Sequence, residues 1–517
     1  MAEDAGRGLA LRRIGNVVGE TTHLRVTFIA ERPPRVGQYV LVEYEGDGGG
    51  ITYALGMVEL SKTGNPMLDS KTLRPEYFDV ASRYGYHRMD YSFGVARLLS
   101  WLEPLLKQGT ARSPKEPPRP GAGVFEPSPE VLGKIFARPR RGVRLGVLVN
   151  HPEVPVHVDV NSIISRHLAI LAVTGAGKSN AVGVLVSRIV EELGGTVLIF
   201  DMHNEYGDVA GERTRAVEAR INPSQLTLSE LYRLLGLDEK ASKQRMYLRK
   251  AYRELSASGA RQREPHRFLE NLLGKVRSFE NSDRARKDRG SIEDLANKLE
   301  ELMEEYGDTV LSPEAPLKLT DAVRPGMANV FMLGSLGEEV ADVIVYHYLD
   351  WLLRERKRHV LEGNGYPVPA LAVIEEAHVL VPRLRSTLSK SIVGRVAREG
   401  RKFGVGLCLV SQRPKNVDED ALSQTNNKII LRLVEPSDQR YVQAASETLS
   451  DELLDLLPSL DVGEAVLLGM MTPLPALVKI DKAAGKARGG DLDVAGEWTK
   501  FVQRKEEMAK EAEKYLW

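Results

Sequence analysis

Apolar and polar positions alternate with a period of two from residue 8 to about residue 160, as in Leu24, Val26, Phe28 and Ala30 against Arg25 and Thr27. Further short runs follow at YVLVEYE, ITYALGMVEL, VRLGVLV and VPVHVDV, and together they predict a small β-barrel or sandwich. Within this region VARLLSWLEPLL carries helical spacing. Six prolines between Pro114 and Pro129 cannot pair as central strands and predict an exposed excursion.

After residue 160 the pattern changes to strands alternating with helices. HLAILAV is a continuous apolar strand; from Asn180 to Leu193 one helical face collects Val182, Leu185, Val186, Ile189, Val190 and Leu193, and Gly194 ends the helix. TVLIF is the next strand, and NVFML, ALAVI, GVGLCLVS, KIILRL, EAVLLG and PALVKI follow later. Fully buried strands joined by helices predict an α/β fold with a mostly parallel sheet. Between about 225 and 308 strands give way to helical periodicity, with Ser291 and Asp294 marking a capping-box start. The division that results is a β-barrel domain over 1–160, an α/β core over 161–224 and 309–485, a helical insertion over 225–308, and a linker with an amphipathic helix over 486–517. In that last helix Trp498, Phe501, Val502, Met508, Ala512, Tyr515 and Leu516 form an apolar stripe that needs a surface to dock against.

Composition narrows the class. At 517 residues the chain exceeds what one core supports, and 42% hydrophobic with 27% charged residues is a globular balance. The single cysteine, Cys408, lies in an apolar strand and cannot form an internal disulfide. No run of 18 apolar residues occurs and the N-terminus lacks a signal-peptide core, so a cytoplasmic protein without membrane contact is expected. The 71 basic and 71 acidic side chains cancel, so any nucleic-acid binding must use local basic patches. One such patch is residues 241–290, with 14 Lys or Arg against 6 Asp or Glu. It serves either as a solvated surface or as a nucleic-acid contact.

The segment Ala172-Val-Thr-Gly-Ala-Gly-Lys-Ser179 fits the phosphate-binding loop G-x-x-x-x-G-K-S/T, with alanine in place of the first glycine. Thr174, Gly175, Ala176, Gly177, Lys178, Ser179 and Asn180 are the candidate nucleotide contacts. The two glycines let backbone N–H groups converge on phosphate, Lys178 neutralises the β and γ phosphates of ATP, and Ser179 offers a hydroxyl to Mg²⁺. The strand ALAVI ends in Glu375 and Glu376; Glu375 can hold the metal through water, and Glu376 can polarise the attacking water. Gln412, at the end of another strand, can bridge the γ-phosphate and that water, or merely cap the strand. Asp201, His203 and Glu205 can order water around Mg²⁺ or cap the following turn.

These motifs in this order (RHLAILAVTGAGKSN, DMHNEYGD, VIEEAH, AREGRKFGVGL, and SQRP with SQTNNKIILRL) resemble the HerA group of the HerA/FtsK DNA-pumping ATPases. The resemblance spans essentially the whole chain. It implies a RecA-like P-loop ATPase core behind a barrel of the kind shared with ATP synthase subunits. It also implies a homohexameric ring that translocates double-stranded DNA with ATP and works with the nuclease NurA in end resection. An ATP-dependent scaffold that recruits a nuclease is the alternative, and a GTPase switch a weaker one. The nearest base-reading segment for a GTPase, Asn297-Lys-Leu-Glu300, lies in a helical pattern.

A ring motor needs groups acting between subunits and on DNA. Arg166 precedes the strand that carries the loop, and six residues at about 3.3 Å each place it roughly 20 Å from its own nucleotide. It can serve only a neighbour's site, or else is a surface arginine paired with a carboxylate. Arg398 and Arg401, ahead of GVGLCLVS, are candidates for the same role. Arg383, Arg385 and Lys390, after the acidic strand, are the candidate DNA contacts, repeated six times around a pore, or else a solvated basic surface.

Overall fold

The computed structural model describes residues 11–46, 50–68, 89–136, 141–280, 287–307, 309–446, 448–484, 494–501 and 504. Six strands close the N-terminal barrel: β1 (Arg12–Val17), β2 (Arg25–Ala30), β3 (Tyr39–Glu45), β4 (Ile51–Gly64), β5 (Tyr91–Trp101) and β6 (Gly123–Glu126). They run in the spatial order β1-β2-β5-β4-β3-β6, with β6 paired back to β1. Alternation fills the barrel with Val26, Phe28, Val40, Val42, Ala54, Val58, Ala96 and Val124.

Two expectations for this region change. VARLLSW is the second half of β5, and the helix begins only at Leu102 and runs to Gln108. Its leucines satisfy both periods, and pairing with β2 and β4 decides for the strand. The proline-rich stretch is not simply an exposed excursion. Its proline-free Gly123–Glu126 closes the barrel, and Pro114, Pro118 and Pro127 are buried. Prolines flank that strand without interrupting its ladder.

The second unit is an 11-stranded sheet, in the order β11-β12-β10-β13-β14-β9-β15-β16-β17-β7-β8. Its strands are β7 (Gly142–Leu148), β8 (His151–Asp159), β9 (Leu168–Leu171), β10 (Thr196–Asp201), β11 (Thr214–Val217), β12 (Ala328–Met332), β13 (Ala370–Ile374), β14 (Val405–Ser411), β15 (Asn427–Ile430), β16 (Glu464–Leu468) and β17 (Ala476–Ile480). From β11 to β15 all neighbours are parallel; β16, β17, β7 and β8 extend the sheet antiparallel. VRLGVLV and VPVHVDV, expected in the barrel, therefore form the outer hairpin of this sheet. Period two reports a half-buried strand, not which sheet it joins. Strands β9, β10, β13 and β14 are buried along their whole length, Cys408 included.

Helices Leu228–Leu234, Ser242–Ala257, Phe268–Ser278 and Arg289–Tyr306 form the helical part. The last starts at Arg289 behind Asp288, without a side-chain cap, so the expected Ser291–Asp294 box is absent. A full capping box occurs at Thr227 and Glu230. Of the C-terminal stripe, Trp498 (70% exposed) and Phe501 (68%) are described and do not dock on their own subunit. Val502, Met508, Ala512, Tyr515 and Leu516 lie outside the described residues. Among the described residues no helix is long and apolar enough to cross a membrane.

Candidate nucleotide site

The carboxyl ends of β9, β10, β13 and β14 meet at one edge of the sheet, where a parallel α/β fold binds ligands. The loop after β9 turns through Gly175 (φ 76°) and Gly177 (φ 102°) into the helix Lys178–Leu193. Gly177 is required twice. Its backbone is left-handed, and a Cβ there would lie 3.2 Å from the backbone nitrogen of Gly463. Gly463 N–H in turn donates to Ala176 O at 2.9 Å, which fastens the loop's outer side. Ala172 is buried in ordinary backbone, so its position needs no glycine.

No side chain caps the first turn of that helix, and its first N–H groups, which have no partner within the helix, point toward the loop. Lys178 Nζ reaches Glu375 Oε2 at 2.9 Å and Glu376 Oε1 at 2.8 Å. Burial opposes the lysine's charge, but the two carboxylates outweigh it and raise its pKa. Glu376, two residues past the end of β13 and just ahead of the short helix Ala377–Leu380, has φ 47°, a strained conformation for a side-chain-bearing residue, held by what surrounds it. Gln412 Nε2 donates to its Oε1 at 2.8 Å, His203 Nε2 lies 3.4 Å from the same oxygen, and His378 Nδ1 lies 3.1 Å from Oε2. Burial pushes the Glu376 carboxyl up, yet His378 and Lys178 together pull it down to about 2. Glu375 goes the other way. Burial raises it, only partly offset by Lys178 and by the Tyr206 hydroxyl, which donates to its Oε1.

The open alternatives at Asp201, His203 and Glu205 divide. Asp201 caps the turn by accepting the N–H groups of His203 and Tyr206. His203 reaches Glu376, and Glu205 accepts the Ser179 hydroxyl. Gln412 also accepts from Thr174, which ties β14 to the loop. Asn180 instead directs its side chain to Asp481 O and Ala483 N–H, at 2.8 and 2.9 Å, and anchors the segment after β17.

Sequence reasoning missed Tyr206 and His378. Both stand inside motifs it used, and an aromatic or imidazole close in sequence to a motif's glutamate was the available signal.

Oxygen donors suited to Mg²⁺ are present at Ser179, Glu205 and Glu375, and the loop with Lys178 offers the donors a triphosphate needs. The residues fit a nucleoside triphosphate with Mg²⁺.

Arg166 ends the helix Val160–Arg166 at the opposite edge of the sheet, ahead of β9. Arg398 and Arg401 are exposed on the helix Leu388–Phe403, which packs against it. The three DNA candidates are each ion-paired: Arg383 to Glu419 at 3.9 Å, Arg385 to Glu338 at 2.7 Å and Lys390 to Asp418 at 2.8 Å.

The profile of the helicase HerA central domain matches residues 143–352, and that of the helicase HerA-like C-terminal domain matches residues 269–480. The DNA double-strand break repair helicase HerA of Sulfurisphaera tokodaii is 39% identical over 96% of this chain and 98% of its own. A probable helicase of Methanocaldococcus jannaschii is 37% identical over 94% of each. VirB4 of Thermoanaerobacter pseudethanolicus superposes with a TM-score of 0.53 at 18% identity, covering 67% of this chain and 98% of its own, which shows a shared fold. Matched by these profiles and by relatives along almost its whole length, the chain belongs to the HerA helicase family.

Proposed function

We propose that this chain is a cytoplasmic, ATP-driven motor that moves along double-stranded DNA as a homohexameric ring and feeds a NurA-type nuclease during end resection. The observation that carries the hydrolytic part is the convergence of Lys178, Glu376 and Gln412 on the phosphate loop. Bound ATP would supply the bond to be broken, and Ser179 and Glu375 would hold a Mg²⁺ ion that would neutralise its charge. The chain's own groups do the rest. Lys178 leaves the two glutamates for phosphate oxygens. Glu376, relieved of that cation, becomes more basic just when a water must be oriented, and Gln412 remains within reach of both.

A neighbour's Arg166, with Arg398 or Arg401, completes the charge stabilisation, because none of the three lies at its own subunit's nucleotide edge. For DNA, Arg383, Arg385 and Lys390 remain candidates, although each must exchange a carboxylate for phosphate. Arg249, Lys250 and Arg253 of the helix Ser242–Ala257 are exposed and make no ion pair among the described residues. With Arg263, Lys287 and Arg289, which are likewise exposed and without an ion pair among the described residues, they are among the insertion's candidates to meet phosphate.

Asn297–Glu300 lies inside the helix Arg289–Tyr306, which counts against a GTPase. Intact Lys178 and Glu376 count against a purely scaffolding role. The test is steady-state ATP hydrolysis with and without duplex DNA: stimulation that disappears in Glu376→Gln supports the motor, and a duplex-indifferent rate rejects it.

A further inference from the structure

Among the described residues three that are not glycine have positive φ: Asn204, Glu376 and His167. Asn204 and Glu376 belong to the nucleotide edge. His167 (φ 58°, ψ 166°) stands at the other edge, between the helix that ends in Arg166 and strand β9. Strain of this kind persists only where the surroundings over-determine the backbone. Here they do. The His167 ring is 2% exposed; its Nδ1 accepts the N–H of Leu407 in β14 at 3.1 Å, and its Nε2 faces Ala397 O at 3.1 Å. Those two partners permit one state of the ring, neutral with the proton on Nε2, and burial favours it by lowering the pKa against the opposing Ala397 bond.

The backbone is held as firmly. Asn426 N–H donates to Arg166 O at 3.0 Å, and Asn427 Nδ2 donates to His167 O at 2.9 Å and to Ser162 O at 2.9 Å. Gly406 lets the Arg166 helix press onto β14, since a Cβ there would lie 2.8 Å from the Ile164 Cα.

Ala397, which the ring grips, immediately precedes Arg398. One imidazole thus joins the corner that bears Arg166 to the helix that bears Arg398 and Arg401. On the same helix Arg395 is paired with Asp350, whereas Arg166, Arg398 and Arg401 make no ion pair among the described residues. A structural clamp alone would not require that three unpaired guanidinium groups share its two ends. We propose that His167 is a positioning residue for hydrolysis in trans: its ring fixes Arg166, Arg398 and Arg401 as one rigid edge presented to the neighbouring subunit's nucleotide.

This inference rests on the reading of Arg166 as a group acting in trans, so both residues are tested together. His167→Gly removes both ring bonds while accepting the left-handed backbone without strain. In assembled rings its duplex-stimulated kcat should fall by roughly 10²-fold, as loosened catalytic groups do, with KM for ATP and ring mass unchanged. In an Arg166→Ala background the same change should cost less than in wild type, because only Arg398 and Arg401 remain to be positioned. His167→Asn keeps an acceptor and a donor but carries the same backbone strain as histidine at ψ 166°, so any rate it retains over the glycine variant reports the side-chain bonds; it also supplies the comparison if the glycine variant fails to assemble. Unchanged kcat in intact rings, or losses that multiply with those of Arg166→Ala, would overturn the proposal. If Arg166→Ala alone keeps full kcat, the arginine reading falls and the role of His167 with it. If only His167→Gly is silent, the arginine reading stands and this inference does not.

Discussion

At the scale of single residues, the site stores its cation on its own carboxylates. Lys178→Ala should weaken nucleotide binding, measurable by titration with a fluorescent analogue, because it removes phosphate charge. Glu376→Gln should bind nucleotide normally and lose about 10²- to 10⁴-fold in turnover, the usual worth of a positioned base. Normal turnover at saturating ATP and Mg²⁺ would refute that assignment. The depressed pKa of Glu376 also has a stability consequence. Its folded value, about 2, lies below the ordinary 4.5, so its contribution is complete above about pH 4.5 and is lost as pH falls toward 2. Urea unfolding of wild type and Glu376→Gln over that window should show their difference shrinking with acid. Lys178, Ser179, Glu375, Glu376 and Gln412 were legible in the sequence because each belongs to a motif whose spacing encodes chemistry. Tyr206 and His378 were not, since their role depends on where two separate strand ends meet. The partners of the Asn180 side chain were not legible, because they lie on a segment some three hundred positions away.

At the scale of elements, buried parallel strands were the most legible feature, since four or five consecutive apolar residues leave few other readings. The barrel's closure was not. β6 is four residues long between prolines, and only its pairing with β1 and β3 identifies it. Nor could local pattern show that β7 and β8 belong to the larger sheet. The loop that ends β9 depends on a segment from far along the chain, where Gly463 packs against Gly177. Gly177→Ala should therefore weaken nucleotide binding without unfolding the domain, checked by calorimetric titration beside circular dichroism. For the basic insertion helix, replacing Arg249, Lys250 and Arg253 together should reduce the salt slope of duplex binding by about 2 to 3, at roughly 0.9 for each phosphate no longer neutralised. The same measurement on Arg383, Arg385 and Lys390 decides whether their ion pairs open for DNA.

At the scale of the whole molecule, the phosphate loop and the arginines that make no ion pair among the described residues lie on opposite edges of one sheet, and the proposed sharing in trans makes a lone subunit two incomplete halves of a site. Mixing Arg166→Ala subunits, which keep the phosphate loop, with Lys178→Ala subunits, which keep the arginine, should restore hydrolysis above either parent. No recovery in confirmed mixed rings would reject sharing. Exposed Trp498 and Phe501 point to the C-terminal segment as part of the same assembly, and deletion from residue 491 should lower the oligomer mass seen by light scattering. Directed movement is the central claim, and displacement of streptavidin from a biotinylated duplex end measures it most directly. Wild-type rings should clear the roadblock only with ATP, and Glu376→Gln rings should leave it in place. Duplex-stimulated hydrolysis without any displacement would contradict a translocating motor.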